Sequence, residues 1–194
     1  MAFDLNAYME AEMTAHANAF AATRKAIALP FADLLAACVQ SVRKGGKIIF
    51  LGNGGSAADA QHLATELTVR YIKDRAPIAA IALTTDTSSL TAIGNDFGFD
   101  DLFSRQVEAL AGKDDVVIAI STSGNSENII RALKAAKEKG AVAAGFSGRD
   151  GGRMKGLAEP LVNVPAPETA RIQEMHILIG HMLCGALEQE LDLL

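Results

Sequence analysis

Apolar and polar positions follow two different periods along this chain. Five short apolar runs have the length of strands: KIIFL at 47–51, IAAIAL at 78–83, VVIAI at 116–120, VAAGF at 142–146 and LVNV at 161–164. Helical spacing fills the intervals. Helices are predicted over 56–72, near 87–93 and 100–111, over 126–139 up to Gly140, and from about Thr169 to Glu190. A Gly-rich bend with a short helical turn separates the last two strands. Apolar runs alternating with helices indicate an α/β domain whose parallel sheet is covered on both faces. Ahead of it, 3–28 reads as a long helix with Leu5, Tyr8, Met9, Met13 and Phe20 roughly in register. Pro30 suits the first turn of a second helix, FADLLAACVQSVRK, which Gly45 and Gly46 stop. These two helices are suited to covering a sheet edge or to making a subunit interface.

The last helix changes the picture. Its segment MHILIGHMLC at 175–184 has no formally charged residue besides histidines, and apolar residues surround its axis. A helix apolar all round is buried, and burial of a terminal helix in a chain this size suggests packing between subunits. His176 and His181 then sit in an apolar setting and need partners. The default for His176, and for His16, is a satisfied core residue.

With 194 residues the chain is read as one domain over 1–194, with N-terminal helices at about 3–44 and an α/β core at about 47–194. Apolar residues make up 49 % and aromatics 5 %, with no Trp, so Ala, Leu, Ile and Val build the core. A net charge of −5 with no basic run argues against nucleic acid as a partner. Cys38 and Cys184 read as buried free thiols, with a disulfide left open. The start MAFDLNAYMEAEM lacks a basic n-region and an apolar h-region, and no run of 18 apolar residues occurs. A cytoplasmic protein without a membrane span is expected.

Candidate chemistry concentrates where strands give way to helices. IIFLGNGGSAADAQHLATE at 48–66 is a strand, a glycine turn and a helix start, the arrangement whose unpaired N–H groups and helix dipole hold an anion. His62 and Glu66 follow at i, i+4, on one helix face and ~6 Å apart along the axis. Such a face also occurs as ordinary solvated surface, but its place after a strand's C-terminal end favours a ligand site. Ser56 with Asp59 resembles a capping box with Asp replacing Glu or Gln. The run Gly52 to Ala57 satisfies G-x-G-x-x-G/A, yet the next strand ends in Thr84-Thr85-Asp86, later than a dinucleotide fold requires, and no Walker lysine is present. Both nucleotide readings are rejected.

A second loop, Ser121-Thr122-Ser123-Gly124-Asn125-Ser126, opens another helix after a strand. Four hydroxyls exceed what capping needs, and the lack of Lys or Arg suggests a phosphomonoester held by neutral donors and the helix dipole. The G-x-S-x-G elbow of serine hydrolases is missing. Gly94-Asn95-Asp96 alone would be a turn. Gln173 and His181, eight residues apart on the last helix, diverge by ~80° and can border one cavity.

With these loops in place the chain resembles the sugar isomerase (SIS) domain family, and within it the phosphoheptose (sedoheptulose-7-phosphate) isomerases, over nearly its whole length. The resemblance rests on GNGGSAADAQH at 52–62, Glu66, LTTDTSSLTAIGND at 83–96, FSRQV at 103–107, ISTSGNS at 120–126, RIQEMH at 171–176 and His181. It implies a three-layer αβα sandwich with a five-stranded parallel sheet, and a homotetramer with active sites at subunit contacts. It implies that Asn53, Gly54, Gly55, Asn95 and Asp96 contact a phosphorylated seven-carbon sugar. Ser121, Thr122, Ser123 and Ser126 would hold its phosphate. His62, Glu66, Gln173 and His181 match a zinc site, one per subunit, with Glu66 and Gln173 also touching substrate. Glu66 and His181 match an acid–base pair.

The chemistry agrees with those residue types. Ketose–aldose isomerisation needs one base that moves a carbon-bound proton and a second group that serves the oxygens, and a carboxylate with an imidazole suffices. Gln is a weak zinc ligand, so the metal is expected to be held weakly. The expected function is interconversion of D-sedoheptulose 7-phosphate and D-glycero-D-manno-heptose 7-phosphate, which enters bacterial heptose and lipopolysaccharide core synthesis. The alternative is a non-catalytic adaptor on the same scaffold that binds a replication initiator protein. Such adaptors lack equivalents of Glu66 and His181, which this chain has.

Overall fold

The computed structural model of the chain describes residues 3–193. A five-stranded parallel sheet is formed by β1 (Ile48–Gly52), β2 (Ala80–Ala82), β3 (Val116–Ser121), β4 (Val142–Gly148) and β5 (Leu161–Val164). The helices are α1 (Leu5–Ala26), α2 (Ala28–Arg43), α3 (Gly55–Thr68), α4 (Thr87–Asp96), α5 (Ser104–Leu110), α6 (Glu127–Glu138) and α7 (Thr169–Glu190). Successive side chains of β1 feed opposite layers, as a strand's two-residue period requires. Ile48 and Phe50 join a core with Leu34 and Cys38 of α2, Leu63 and Leu67 of α3, and Ile172, Met175 and Ile179 of α7. Ile49 and Leu51 join a second core with Phe103, Val107 of α5, and Ile129, Leu133 and Ala136 of α6. This is the expected three-layer αβα sandwich with N-terminal helices added.

Several boundaries moved for identifiable reasons. The helix expected over 56–72 begins at Gly55 and ends at Thr68. Its cap is Gly54 at φ 56°, with no side-chain cap bond, so the Ser56–Asp59 capping box does not form. Beyond Thr68, Arg75 binds the carbonyls of Glu66 and Leu67 while Glu188 takes the N–H groups of Tyr71 and Ile72. Those bonds replace helical ones and turn the chain out of α3. The helix expected near 87–93 runs on to Asp96, capped by Asp86, which accepts from the N–H groups of Ser88 and Ser89. The 100–111 helix is instead a 3₁₀ turn at Phe99–Asp101 followed by the shorter α5. β5 and α7 keep the expected bounds.

α7 is not wholly covered by its own chain. Met182 is 44 % exposed, and with Leu178 it faces Phe20, Ile27 and Phe31 of the N-terminal segment across an apolar cavity of about 320 Å³. Among the described residues no single helix is long and apolar enough to cross a membrane. Cys38 and Cys184 are both buried and free, and burial pushes the Cys184 thiol up to about 12. His16 departs from its core default: it is exposed and bonded to Glu174 at 2.7 Å.

His176 does lie in the core, fully buried. Its Nε2 stands 3.0 Å from the Ser147 carbonyl oxygen, which can only accept, so Nε2 carries the proton. Nδ1 has no partner, and burial drives the imidazole pKa down to about 4. The unfolded chain therefore takes up a proton near pH 6.5 that the folded chain refuses until about pH 4. His176 contributes its stability fully above pH 6.5 and loses it as pH falls toward 4, a swing of about 2–4 kcal/mol at ~1.4 kcal/mol per pKa unit. Urea midpoints measured from pH 7 to 4 should fall more steeply in the native protein than in His176→Gln. Parallel slopes would show that His176 does not carry the acid sensitivity.

Candidate active site

The strand order β2-β1-β3-β4-β5 places a reversal between β1 and β3. From β1 the chain moves out to the edge strand β2, then returns to lay β3 on the other side of β1. The loops after β1 and β3 therefore open side by side, which is where parallel α/β sheets receive ligands. Gly52 pairs in register with Ile120, so the two loops leave the sheet at the same level. A reciprocal amide pair ties them together. Asn53 Nδ2 donates to Asn128 Oδ1 at 3.0 Å, and Asn128 Nδ2 donates to Asn53 Oδ1 at 2.9 Å.

Each loop presents the donors an anion needs. The N–H groups of Gly54 and Gly55 take no hydrogen bond within the described residues, nor do those of Glu127 and Asn128 at the start of α6. Ser121 Oγ accepts from Gly124 N–H and Ser123 Oγ from Asn125 N–H, each at 3.2 Å. Accepting orients these hydroxyls and leaves their O–H groups free to donate. Ser126 is the N-cap of α6 but makes no side-chain cap bond, so its hydroxyl is also available. Glu127 would oppose an anion at this helix end, but Arg153 and then Arg131 bind its carboxylate and hold its pKa below the usual range.

α3 and α7 bring the histidines together. Gly180 permits their close approach, since a Cβ there would lie 2.5 Å from Leu63 Cδ2. The next residue on α7 is His181, and the residue before Leu63 on α3 is His62. Their Nε2 atoms are 2.9 Å apart, and Glu66 Oε1 is 3.3 Å from His62 Nε2. All three ligand atoms fall within 4.8 Å of one another. Tetrahedral zinc with bonds of about 2.0–2.1 Å holds its ligand atoms about 3.4 Å apart, so two imidazoles and a carboxylate at these separations fit a cation. Asp59, one turn before His62, has a buried Oδ2 without a hydrogen-bond partner. Burial raises its carboxyl pKa, against the pull of His62 and His181. A buried acceptor left open beside the histidines also suits a positively charged occupant.

Gln173 lies over the first turn of α3. A Cβ on Gly55 would come within 2.4 Å of its Nε2, so Gly55 is what admits this side chain. Gln173 thus borders the glycine loop. Asn95 and Asp96 are exposed at the end of α4 and bond to each other at 2.7 Å; among the described residues no hydrogen bond links them to the other candidates. Reading the sequence did not single out Asn128, Arg75 or Glu188, and it gave Tyr71 only a packing place at the end of the apolar stripe Ala60, Leu63, Ala64, Leu67, Tyr71. Asn128 looked like any first-turn residue of α6, and the other three act through partners far along the chain.

A family model for the SIS domain matches residues 11–148. The phosphoheptose isomerase of Paramagnetospirillum magneticum is 58 % identical over 181 residues, covering 93 % of this chain and 94 % of that protein. The phosphoheptose isomerase of Rhodospirillum rubrum is 53 % identical over 160 residues, covering 82 % and 85 %. Among solved structures, the phosphoheptose isomerase of Neisseria gonorrhoeae superposes with a TM-score of 0.88 at 44 % identity, covering 96 % of this chain and all of that one. The chain belongs to the SIS-domain family and, within that family, to the phosphoheptose isomerases.

Proposed function

We propose that the protein interconverts D-sedoheptulose 7-phosphate and D-glycero-D-manno-heptose 7-phosphate through an enediol, as a single-domain chain working in a cytoplasmic homotetramer. The observation that carries this reading is the convergence of Glu66 and His181 beside a helix-terminal anion seat. The phosphate is held by Ser121, Thr122, Ser123, Ser126 and the α6 N-terminus. Asn53, Gly54, Gly55, Gln173, Asn95 and Asp96 orient the sugar. Glu66 removes the proton from C1 of the ketose and returns it to C2, while His181 protonates the C2 carbonyl oxygen and takes the proton from the C1 hydroxyl. Protons balance, and no redox cofactor is required.

His62, Glu66, His181 and Gln173 are the residues that would hold zinc, one ion per subunit and weakly through the amide. When bound, zinc supplies a Lewis acid that polarises the substrate carbonyl. The uncovered apolar face of α7 with α1 supports assembly into the tetramer. The product fits the entry of bacterial lipopolysaccharide core synthesis. No observation favours the adaptor reading, since Glu66 and His181 are both present and brought together.

The test is incubation of the purified protein with sedoheptulose 7-phosphate, followed by chromatographic detection of the aldose. Conversion is expected, with a tetramer's mass by light scattering of the same sample. No aldose, with or without added zinc, would sink the proposal, and a monomer at micromolar concentration would remove the assembly.

A further inference from the structure

Outside the residues given roles above, the described residues hold one ion pair with both side chains out of solvent. Arg75 is 1 % and Glu188 0 % exposed, with Nε and Oε1 at 2.8 Å. Apart from a 3.1 Å bond from Arg75 Nη1 to the adjacent Ala76 carbonyl, their remaining bonds reach the end of α3 and the residues that follow it. Arg75 Nη2 donates to the Glu66 carbonyl at 2.8 Å and Nη1 to the Leu67 carbonyl at 2.7 Å, closing the end of the helix that carries Glu66. Glu188 accepts from the N–H groups of Tyr71 and Ile72 at 3.0 and 3.4 Å. Tyr71, pinned in this way, lays its ring against His181 with centroids 5.7 Å apart and planes at 27°. The same imidazole also meets the His62 ring, edge-on with centroids 5.1 Å apart. Gly185, one turn beyond His181, leaves the space the tyrosine occupies, since a Cβ there would lie 3.1 Å from Tyr71 Cε1.

We propose that Tyr71 is a positioning residue for the His181 imidazole, and that the buried Arg75–Glu188 pair fixes both Tyr71 and the Glu66 end of α3. The assignment deepens the isomerase reading and rests on it for its kinetic consequence. An imidazole that serves two substrate oxygens in turn must keep one ring orientation through the reaction. α7 supplies the backbone position of His181 but leaves its χ angles free. Stacking on Tyr71, together with the edge-on contact to His62, selects the orientation. The main-chain bonds to Glu188 prevent the tyrosine from retreating with the loop that follows α3. Ring stacking needs only the aromatic face, so the phenol hydroxyl is dispensable.

Tyr71→Leu and Tyr71→Phe test this while leaving the ion pair in place. In Tyr71→Leu we expect kcat on sedoheptulose 7-phosphate to fall ~10–100-fold, the usual scale for losing a group that orients an active-site residue, with KM within about twofold. Tyr71→Phe should restore kcat. A crystal structure of Tyr71→Leu should show the His62–His181 Nε2 separation widened from 2.9 Å, and Tyr71→Phe should keep it. Unchanged kcat together with an unchanged imidazole in Tyr71→Leu would overturn the proposal. So would a matching loss in Tyr71→Phe, since the hydroxyl and not the ring face would then matter. If the native protein does not turn over this sugar at all, the isomerase reading fails, and the imidazole position in the two crystal structures still decides the positioning role.

Discussion

Glu66→Gln is expected to lower turnover by ~10²–10⁴-fold, the usual scale for one general base, while sugar phosphate binding stays close to native. The substitution keeps the size and reach of the side chain and removes the carboxylate that would accept a proton from carbon. Phosphate binding should survive because the seat is built elsewhere, from the hydroxyls of 121–126 and the free N–H groups at the start of α6. Exchange of the substrate's carbon-bound proton with solvent deuterium, measured beside calorimetric binding, separates the two effects. Glu66 also belongs to the His62–Glu66–His181 group, so zinc content is measured on the same sample. If exchange and turnover stayed near native, the base would have to be another carboxylate. Asp59 would then come first, since burial already raises its proton affinity beside both histidines. Asp96, bonded to Asn95 at the exposed end of α4, is less well placed in the single chain.

The parts of this protein that could be read in advance are those encoded by neighbours in sequence. β5 and α7 kept their bounds because a short apolar run between two prolines, Pro160 and Pro165, or a long helical pattern, is a local signal. His62 and Glu66 were legible as a pair because i, i+4 spacing is itself geometry. The end of α3 was not legible, because what stops the helix is Arg75 bound to Glu188, and those residues are 113 positions apart. The strand order was equally hidden. Nothing within β3 says on which side of β1 it pairs, yet that choice brings the two anion loops together and lets Asn53 meet Asn128. His181 showed locally only as a polar residue on an apolar helix, able to border a cavity with Gln173. Its partner lies 119 residues away, and only the family resemblance connected them before the structure did. The capping box failed for a different reason: Gly54 adopts a positive φ and starts the helix by backbone geometry, which leaves Ser56 no cap to make.

The largest loss of stability is expected from Glu188→Ala. Exposed ion pairs contribute roughly 0–1 kcal/mol. Arg75–Glu188 is different because neither side chain meets solvent. Removing the carboxylate leaves a guanidinium buried without its counter-charge and strips the N–H groups of Tyr71 and Ile72 of their acceptor. Breaking one side of a buried pair costs about 3–5 kcal/mol, a large share of the roughly 5–15 kcal/mol that holds an ordinary domain. Adding Arg75→Met to Glu188→Ala should recover part of the loss, since the double variant no longer buries an unpaired charge. Recovery should stay incomplete, because the N–H groups of Tyr71 and Ile72 and the carbonyls of Glu66 and Leu67 would still lack these partners. Urea unfolding at one fixed protein concentration measures all three chains, the concentration being held because assembly shifts apparent stability. A Glu188→Ala loss below about 1 kcal/mol would put this pair in the class of surface contacts. The end of α3 would then be held by packing of Leu63 and Leu67 against α7 and the sheet, and not by charge.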